Sequence, residues 1–404
     1  MKLIVSVAAL AVGGLLASAA TLLPVAQPQA RDAQGGGELK VLRDLSCPVP
    51  PRAAGQVTLT SVGEKQAELA GRSISESTTL RGTDQQPAGA VSAAAGPLRW
   101  YANCRAAAQR QLVLLPTSQG ATLLLTNPTS TDARVDVHLF DEDGPVQAVG
   151  TAGITVPAQG SRSVPVSVQV AAGQSFAAEV VASEGRVAAW GTTSGADGAD
   201  FSPATSAQTS GVVAALPTAR RTLLLASNPG AERATAQLVL ATADGPIVPS
   251  GVEELVLEPG TSQLLDITTP LAGEQAALRW TSDHPVALAA VAQQGKDLGV
   301  SAGSTPQTEG QLLGTGGGRL LLSNPSEQDL EVELSGAVTR RVNLKAGASA
   351  GVEMPKDPGL VQFSAPQPVS AGLLWTNGGV AIGGVQPAGT VRATVGLSAD
   401  PRLR

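Results

Sequence analysis

The stretch Leu123-Leu124-Leu125-Thr126-Asn127-Pro128 returns as Leu223-Leu224-Leu225-Ala226-Ser227-Asn228-Pro229 and again as Leu320-Leu321-Leu322-Ser323-Asn324-Pro325. Three leucines in a row describe a strand enclosed on both faces. Proline has no N–H to give a ladder and holds the preceding residue in extended geometry, so it ends that strand. The Asn side chain bonds nearby backbone and turns the chain toward the next strand. Asn127-Pro128, Asn228-Pro229 and Asn324-Pro325 are therefore read as terminators of a repeated core strand, not as ligands.

The three asparagines stand 101 and 96 residues apart, close to the length of a small β-sandwich. Sixteen residues after each of the first two comes a turn, Asp143-Gly144-Pro145 and Asp244-Gly245-Pro246. A second turn follows in all three repeats and ends at Gly160, Gly260 and Gly347. The third repeat reaches it sooner and lacks the Asp-Gly-Pro hairpin. Between turns the period is two, as in Ala133 to Phe140, where Val135, Val137 and Leu139 share a face. Six or seven strands per repeat result. The expected fold is all-β: tandem immunoglobulin-like β-sandwich domains after an N-terminal apolar helix.

The expected organisation is a signal peptide or signal anchor over 1–30, a linker over 31–46, a disulfide-bearing segment over 47–110, and repeats over 111–206, 207–306 and, shorter, 307–398. The borders fall in Ser/Thr/Gln-rich stretches, SPATSAQTSG and SAGSTPQTEG, read as loops. Between Lys2 and Arg31 no residue is charged. That run reads either as a signal cleaved after Ala17-Ser18-Ala19 or as a bilayer-spanning anchor, and both place the remainder outside the membrane.

Composition is 43% hydrophobic but only 2% aromatic and 15% charged, with 46 Gly and 28 Pro. This fits several small apolar cores arranged as beads on a string. A net charge of −6 excludes the basic surface that nucleic-acid binding needs. Cys47 and Cys104 are the only cysteines. In an exported chain an even count favours a disulfide over two isolated thiols, and without a nearby histidine a zinc site is incomplete. Closing that loop stabilises by up to about 4 kcal/mol in the chain-entropy model.

Two stretches match G-x-S-x-G, around Ser301 and Ser349. A nucleophile elbow needs a strand, a sharp turn and a helix, with a histidine later in the chain to take the proton. His138 and His284 are the only histidines and precede both serines, so a serine hydrolase is the outlying reading. His138 lies on the outward face of its strand, and His284 sits in a turn before Pro285. The Gly-rich Gly314 to Arg319 leads into a strand and lacks the Lys-Ser/Thr ending of a phosphate loop. Acidic clusters at Asp141-Glu142-Asp143 and Asp197 to Asp200 offer the oxygen ligands that calcium takes but lack the ligand count and loop spacing of a calcium motif, and read as solvated turns. No catalytic, cofactor-binding or metal-ligating residue is expected, and no cofactor. An exposed aromatic patch around Trp100, Trp190 or Trp375 would mark a glycan-binding module.

The exported N-terminus, Cys47-Pro48, Cys104 before a repeat, and the units TLLLTNPTSTDARVDVHLFDEDGPV and TLLLASNPGAERATAQLVLATADGPI resemble a family of actinobacterial envelope proteins defined by a domain of unknown function. The resemblance covers most of the chain after the signal. It implies a secreted or membrane-anchored protein with no assigned catalytic residues. The expected role is that of a non-enzymatic envelope interaction or scaffold module, with wall-glycan binding as the alternative. Envelope proteins or wall glycan are the expected partners, with the membrane engaged through the N-terminal helix if it is not cleaved, and no nucleic acid.

Overall fold

Along Ala133–Phe140 buried and exposed residues alternate, with Val135, Val137 and Leu139 inside and Arg134 and His138 outside. That period of two extends through the molecule. The computed structural model describes residues 38–394 apart from 42, 50–55, 64–69, 83–85, 97, 196–197, 377–378 and 389–390. Its regular structure is entirely strand. The apolar run read as a signal or anchor lies outside the described residues. No helix among the described residues is long and apolar enough to cross a membrane.

Two compact units divide the chain, Leu42–Val391 and a unit of the terminal stretches Met1–Val41 and Arg392–Arg404. In the terminal unit, strand β1 (Glu38–Val41) pairs with a strand near the other end of the chain, Val391–Thr394. The expected linker thus runs into strand.

An amino-terminal subunit of the larger body holds β2 (Leu45–Cys47), β3 (Thr58–Val62), β4 (Ala70–Ser73), β5 (Thr78–Leu80), β6 (Ala88–Ala95) and β7 (Leu98–Asn103). The first repeat holds β8 (Arg110–Leu115), β9 (Thr122–Thr126), β10 (Ala133–Phe140), β11 (Pro145–Val146), β12 (Ile154–Val156), β13 (Ser161–Pro165), β14 (Phe176–Glu184), β15 (Ala188–Gly195) and β16 (Gly198–Thr205). The second holds β17 (Gln208–Leu216), β18 (Arg221–Asn228), β19 (Ala234–Thr242), β20 (Gly245–Ile247), β21 (Glu254–Leu257), β22 (Thr261–Asp266), β23 (Ala276–Gln294) and β24 (Asp297–Ala302). The third holds β25 (Gln307–Gly314), β26 (Arg319–Ser323), β27 (Leu330–Gly336), β28 (Arg340–Leu344), β29 (Ser349–Glu353), β30 (Gly359–Trp375) and β31 (Ala381–Gly384); β32 is the terminal strand Val391–Thr394. The Ser/Thr/Gln-rich stretches read as loops are largely the ends of β16, β17, β24 and β25. Their polar side chains sit on strand ends and need no loop.

Each repeat is a sheet curled around its own core. In the first, the strands run β11-β10-β14-β8-β16-β15-β9-β13, and β16 closes the curl by pairing with β15 and then with β8. In the second, the long β23 passes through both halves, pairing first with β19 and β17 and then with β18 and β24. β30 does the same in the third.

The amino-terminal subunit repeats the scheme in reduced form. Its order β4-β3-β6-β7 matches β13-β9-β15-β16, and β2 pairs with β5 as β8 pairs with β14. The bridge Ser46 to Arg105 matches Val212 to Ser304 and Gln311 to Gln386. Among the described residues, nothing between β3 and β4 corresponds to β10 or β12. The disulfide segment is thus a fourth, truncated copy.

The four copies do not form a string. Trp190, Phe201 and Leu124 of the first repeat share a core with Trp100, Leu45 and Leu80 of the amino-terminal subunit. Leu112, Leu114 and Phe140 pack on Leu225, Val291 and Val300 of the second repeat. Ala215 and Ala292 pack on Leu321, Leu374 and Ile382 of the third. Val62, Ala90 and Tyr101 join the core of the third repeat and close a ring. Here the triple leucines find their physical reason. Leu123 and Leu125, like Leu320 and Leu322, face their own core, while Leu124 and Leu321 face the preceding copy.

Candidate functional site

The last strands of the four sheets, β7, β16, β24 and β31, come together at the middle of the ring. Each brings an edge whose backbone groups have no ladder partner, and buried groups of that kind must find acceptors or donors elsewhere. Side chains supply them. Asp200 on β16 is buried, with Oδ1 receiving the Tyr101 N–H of β7 at 3.4 Å, and the amides of Phe201 and Val300 also point at its carboxyl. Asp297 on β24 is buried, and its Oδ2 receives the Val380 N–H at 2.7 Å and the Arg99 N–H at 3.1 Å. Two carboxylates therefore clip edge amides from all four copies.

Burial pushes the Asp200 carboxyl well above the usual carboxylate range, and the charge of Asp297 adds to this against the pull of the Phe201, Tyr101 and Val300 amides. Burial likewise lifts Asp297 to about 6, opposed by the amides of Val380, Arg99 and Leu298. Oδ1 of Asp297 has no hydrogen-bond partner. Tyr101, its phenol pushed up by burial, lies with its hydroxyl 2.8 Å from the Leu313 carbonyl and its ring 4.8 Å from that of Trp375. Gln386 exchanges two hydrogen bonds with the Gly89 backbone, at 3.0 and 2.6 Å, and so replaces a ladder pair between the third repeat and the amino-terminal subunit. Burial lowers the Arg105 guanidinium to about 10, and it donates to the Ala204 carbonyl at 2.6 Å.

The structure places the predicted residues as follows. Cys47 and Cys104 are disulfide-bonded, tying β2 to the residue after β7. Asn127, Asn228 and Asn324 are fully buried. The amide of each donates to the carbonyl four residues on, Thr131, Glu232 or Gln328, at 2.7 to 2.8 Å. It also reaches the end of the strand that returns toward it, at Val156, Leu257 or Leu344. The Asn carbonyl accepts the amide two residues on, past the proline. Both polar atoms of each asparagine side chain are engaged, so the motif is a three-way backbone clip.

Ser301 lies within β24 opposite Ala290, and Ser349 within β29, where its hydroxyl donates to the Ala241 carbonyl at 2.8 Å. Neither stands at a strand-to-helix turn. His138 is exposed, and His284 Nε2 is 3.4 Å from Glu232. Gly314 ends β25 and Arg319 begins β26, with a turn over Thr315 to Gly318 between them. Trp100, Trp190, Trp280 and Trp375 are all buried. No group of three or more His, Cys, Asp or Glu placed to hold a metal occurs among the described residues. Asp141 caps the amide of Asp143 at 3.0 Å in an exposed turn, whereas Asp200, read as part of a solvated turn, is buried at the ring centre; Asp197 lies outside the described residues. The sequence reading missed Asp200 and Asp297. Their signal was an acid placed inside an apolar strand, Ala199-Asp200-Phe201 and Asp297-Leu298-Gly299-Val300.

One sheet face stays open. In the third repeat β25, β27, β28 and β30 line a groove of about 520 Å³ with Glu309, Glu333, Arg340, Arg341 and Gln362. The equivalent faces of the first two repeats are apolar and buried at one end, through Leu112, Leu114 and Ala177 and through Val212, Ala241 and Ala277, and exposed and polar at the other, through Arg110 and His138 and through Gln237 and Thr281.

The sequence model of a family of unknown function (DUF5719) matches residues 88–355. That span begins at β6 and ends just beyond β29. No curated protein and no solved structure matches the chain.

Proposed function

The chain belongs to this family of unknown function (DUF5719), and we propose that it is a non-enzymatic, exported protein of an actinobacterial cell envelope that acts as an interaction scaffold. Its copies are read as immunoglobulin-like β-sandwich modules, held to the membrane or released according to the fate of the N-terminal apolar run. The observation that carries the reading is the open face of the third repeat. In the first two repeats part of the corresponding face is covered by the next copy, and in the third a charged groove is left to meet a partner. A mixed-sign rim gives specificity and orientation more than raw affinity. The disulfide suits an oxidising compartment. Burial of all four tryptophans favours the scaffold over a wall-glycan module, since no aromatic platform faces solvent among the described residues.

The test is a photo-crosslinking residue at Gln362 in the full-length protein in cells, with a second at the exposed Arg233 as control. The reading predicts the same envelope protein recovered at 362 in replicate, absent at 233, and lost when Arg341→Glu is added. Recovery of wall glycan alone at 362, or identical products at both positions, would overturn it.

A further inference from the structure

We propose that Ser46, Thr79 and Arg105 hold a small monovalent inorganic anion, chloride in size, at the seam between the amino-terminal subunit and the first repeat. Ser46 and Arg105 exchange both backbone hydrogen bonds at 2.8 Å, and Thr79 stands opposite Ser46 in the β2–β5 pairing. Residues directly opposite in an antiparallel pair put their side chains on one face, about 5 Å apart at Cβ. The guanidinium and the two hydroxyls therefore form one row. Leu45 and Cys47, on either side of Ser46, belong to the core, so the row lies on the outer face, the one that Leu112 and Val212 occupy in the next two copies. There it meets the first repeat, where Arg105 Nη1 donates to the Ala204 carbonyl at 2.6 Å.

That seam leaves donors over. Ser46 is fully buried with no hydrogen-bond partner for its hydroxyl, and Arg105 Nε, shut off from solvent, has none either. Two orphans opposite each other in one bridge, both able to donate, ask for an acceptor. Thr205, in the equivalent place of the first repeat, clips onto the second with a neutral hydroxyl, 2.6 Å from the Gly303 carbonyl. Gln386 does the same for the third repeat with an amide. The clip thus needs no charge, and the positive charge of Arg105 calls for a reason of its own. Burial alone acts on its guanidinium, with no acid opposing it. Two residues along the same face, Arg81 and Asp44 are exposed and 3.8 Å apart, so their charges offset each other. A buried cation without an acid calls for an anion. One unit of charge and three donors suit a monovalent ion better than a phosphate dianion. Thr79 and Arg105 are only half-buried, which gives the ion a way in from solvent.

The proposal is independent of the scaffold reading. The experiment compares the full-length protein in sodium chloride and in sodium gluconate of equal ionic strength by thermal midpoint, with the line width of the chloride NMR signal as the direct readout of binding. The midpoint should stand about 2 °C or more higher in chloride, and the protein should broaden the chloride signal. Arg105→Gln, which keeps a donor for the Ala204 carbonyl, should abolish both effects. Ser46→Ala, which leaves the clip untouched, should weaken chloride binding about tenfold, and it decides the matter if Arg105→Gln does not fold. Equal midpoints in the two salts, effects that survive in Arg105→Gln, or chloride affinity unchanged in Ser46→Ala would overturn the proposal.

Discussion

The seams between the first and second repeats and between the second and third use one device, and the seam between the amino-terminal subunit and the first repeat uses another. In the first two, the Asp-Gly-Pro hairpin of one repeat seats its proline on a turn of the next. A Cβ built on Gly260 would stand 3.0 Å from Pro145 Cγ, and one on Gly347 would stand 2.9 Å from Pro246 Cγ. Both glycines are in the left-handed region, at φ 66° and 67°. Among the described residues the first repeat has no preceding hairpin, because the truncated copy shows none of those strands. At the equivalent left-handed position it carries not glycine but Gln159, at φ 52° and exposed. Backbone strain alone is thus tolerated by a side chain; glycine is required where a neighbour's proline lies on top. The missing hairpin of the third repeat fits the same logic, since the copy that follows it around the ring is the truncated one.

The amino-terminal seam substitutes aromatic bulk for that docking. Trp190 is buried at the shared core with its indole N–H 3.2 Å from the Asn103 carbonyl, and Phe201 meets Trp100 edge to face at 5.5 Å. Trp190→Ala should therefore give the largest effect, a loss of about 3–5 kcal/mol in denaturant unfolding. A loss below about 1 kcal/mol would mean that this seam is not part of the cooperative unit. Next, Asn228→Ala should cost about 2–4 kcal/mol, because it strands the Glu232 and Leu257 carbonyls and the Gly230 amide in a buried corner. A similar loss for Asn127→Ala would show that the clip works equally on both sides of the comparison.

The acid pair predicts a pH dependence whose sign is opposite to that of a salt-bridged carboxylate. With its folded value lifted to about 6, Asp297 binds its proton more tightly folded than unfolded. The resulting stability is present below about pH 4 and is lost as pH rises through 6. Asp297→Asn should flatten the fall in unfolding free energy between pH 4 and 7 by about 1–3 kcal/mol. An unchanged slope would locate the titration elsewhere. The smallest effects sharpen the seam contrast directly. Gly260→Ala and Gly347→Ala should each cost about 1–3 kcal/mol, whereas Gln159→Gly should stay within about 0.5 kcal/mol. Equal costs at Gly260 and Gln159 would remove the role assigned to the prolines.

Strand content and the role of the Asn-Pro pairs were legible because burial on both faces and the loss of an N–H act locally, on residues adjacent in sequence. The turn alignment was legible only to within one residue. Gly160, which follows Gln159, draws the eye as a glycine, but the left-handed residue is the one before it. The ring was not legible, because a leucine facing its own core and one facing a neighbour look alike in a run of three. The truncated copy hid for a related reason: β3, Thr58-Leu59-Thr60-Ser61-Val62, has neither the leucine run nor the Asn-Pro ending. The central acids were visible as single charges in apolar strands, but what they bind comes from chain segments about 100 residues or more away.

Closure of the ring is the central claim, and native-state hydrogen exchange of the full-length protein tests it most directly. A closed ring predicts that amides of β7, β24 and β31 exchange only through global unfolding, with one common free energy. Exchange of the amino-terminal subunit or of the third repeat through a separate opening of lower free energy, with the remainder still protected, would instead describe a linear string and contradict the account.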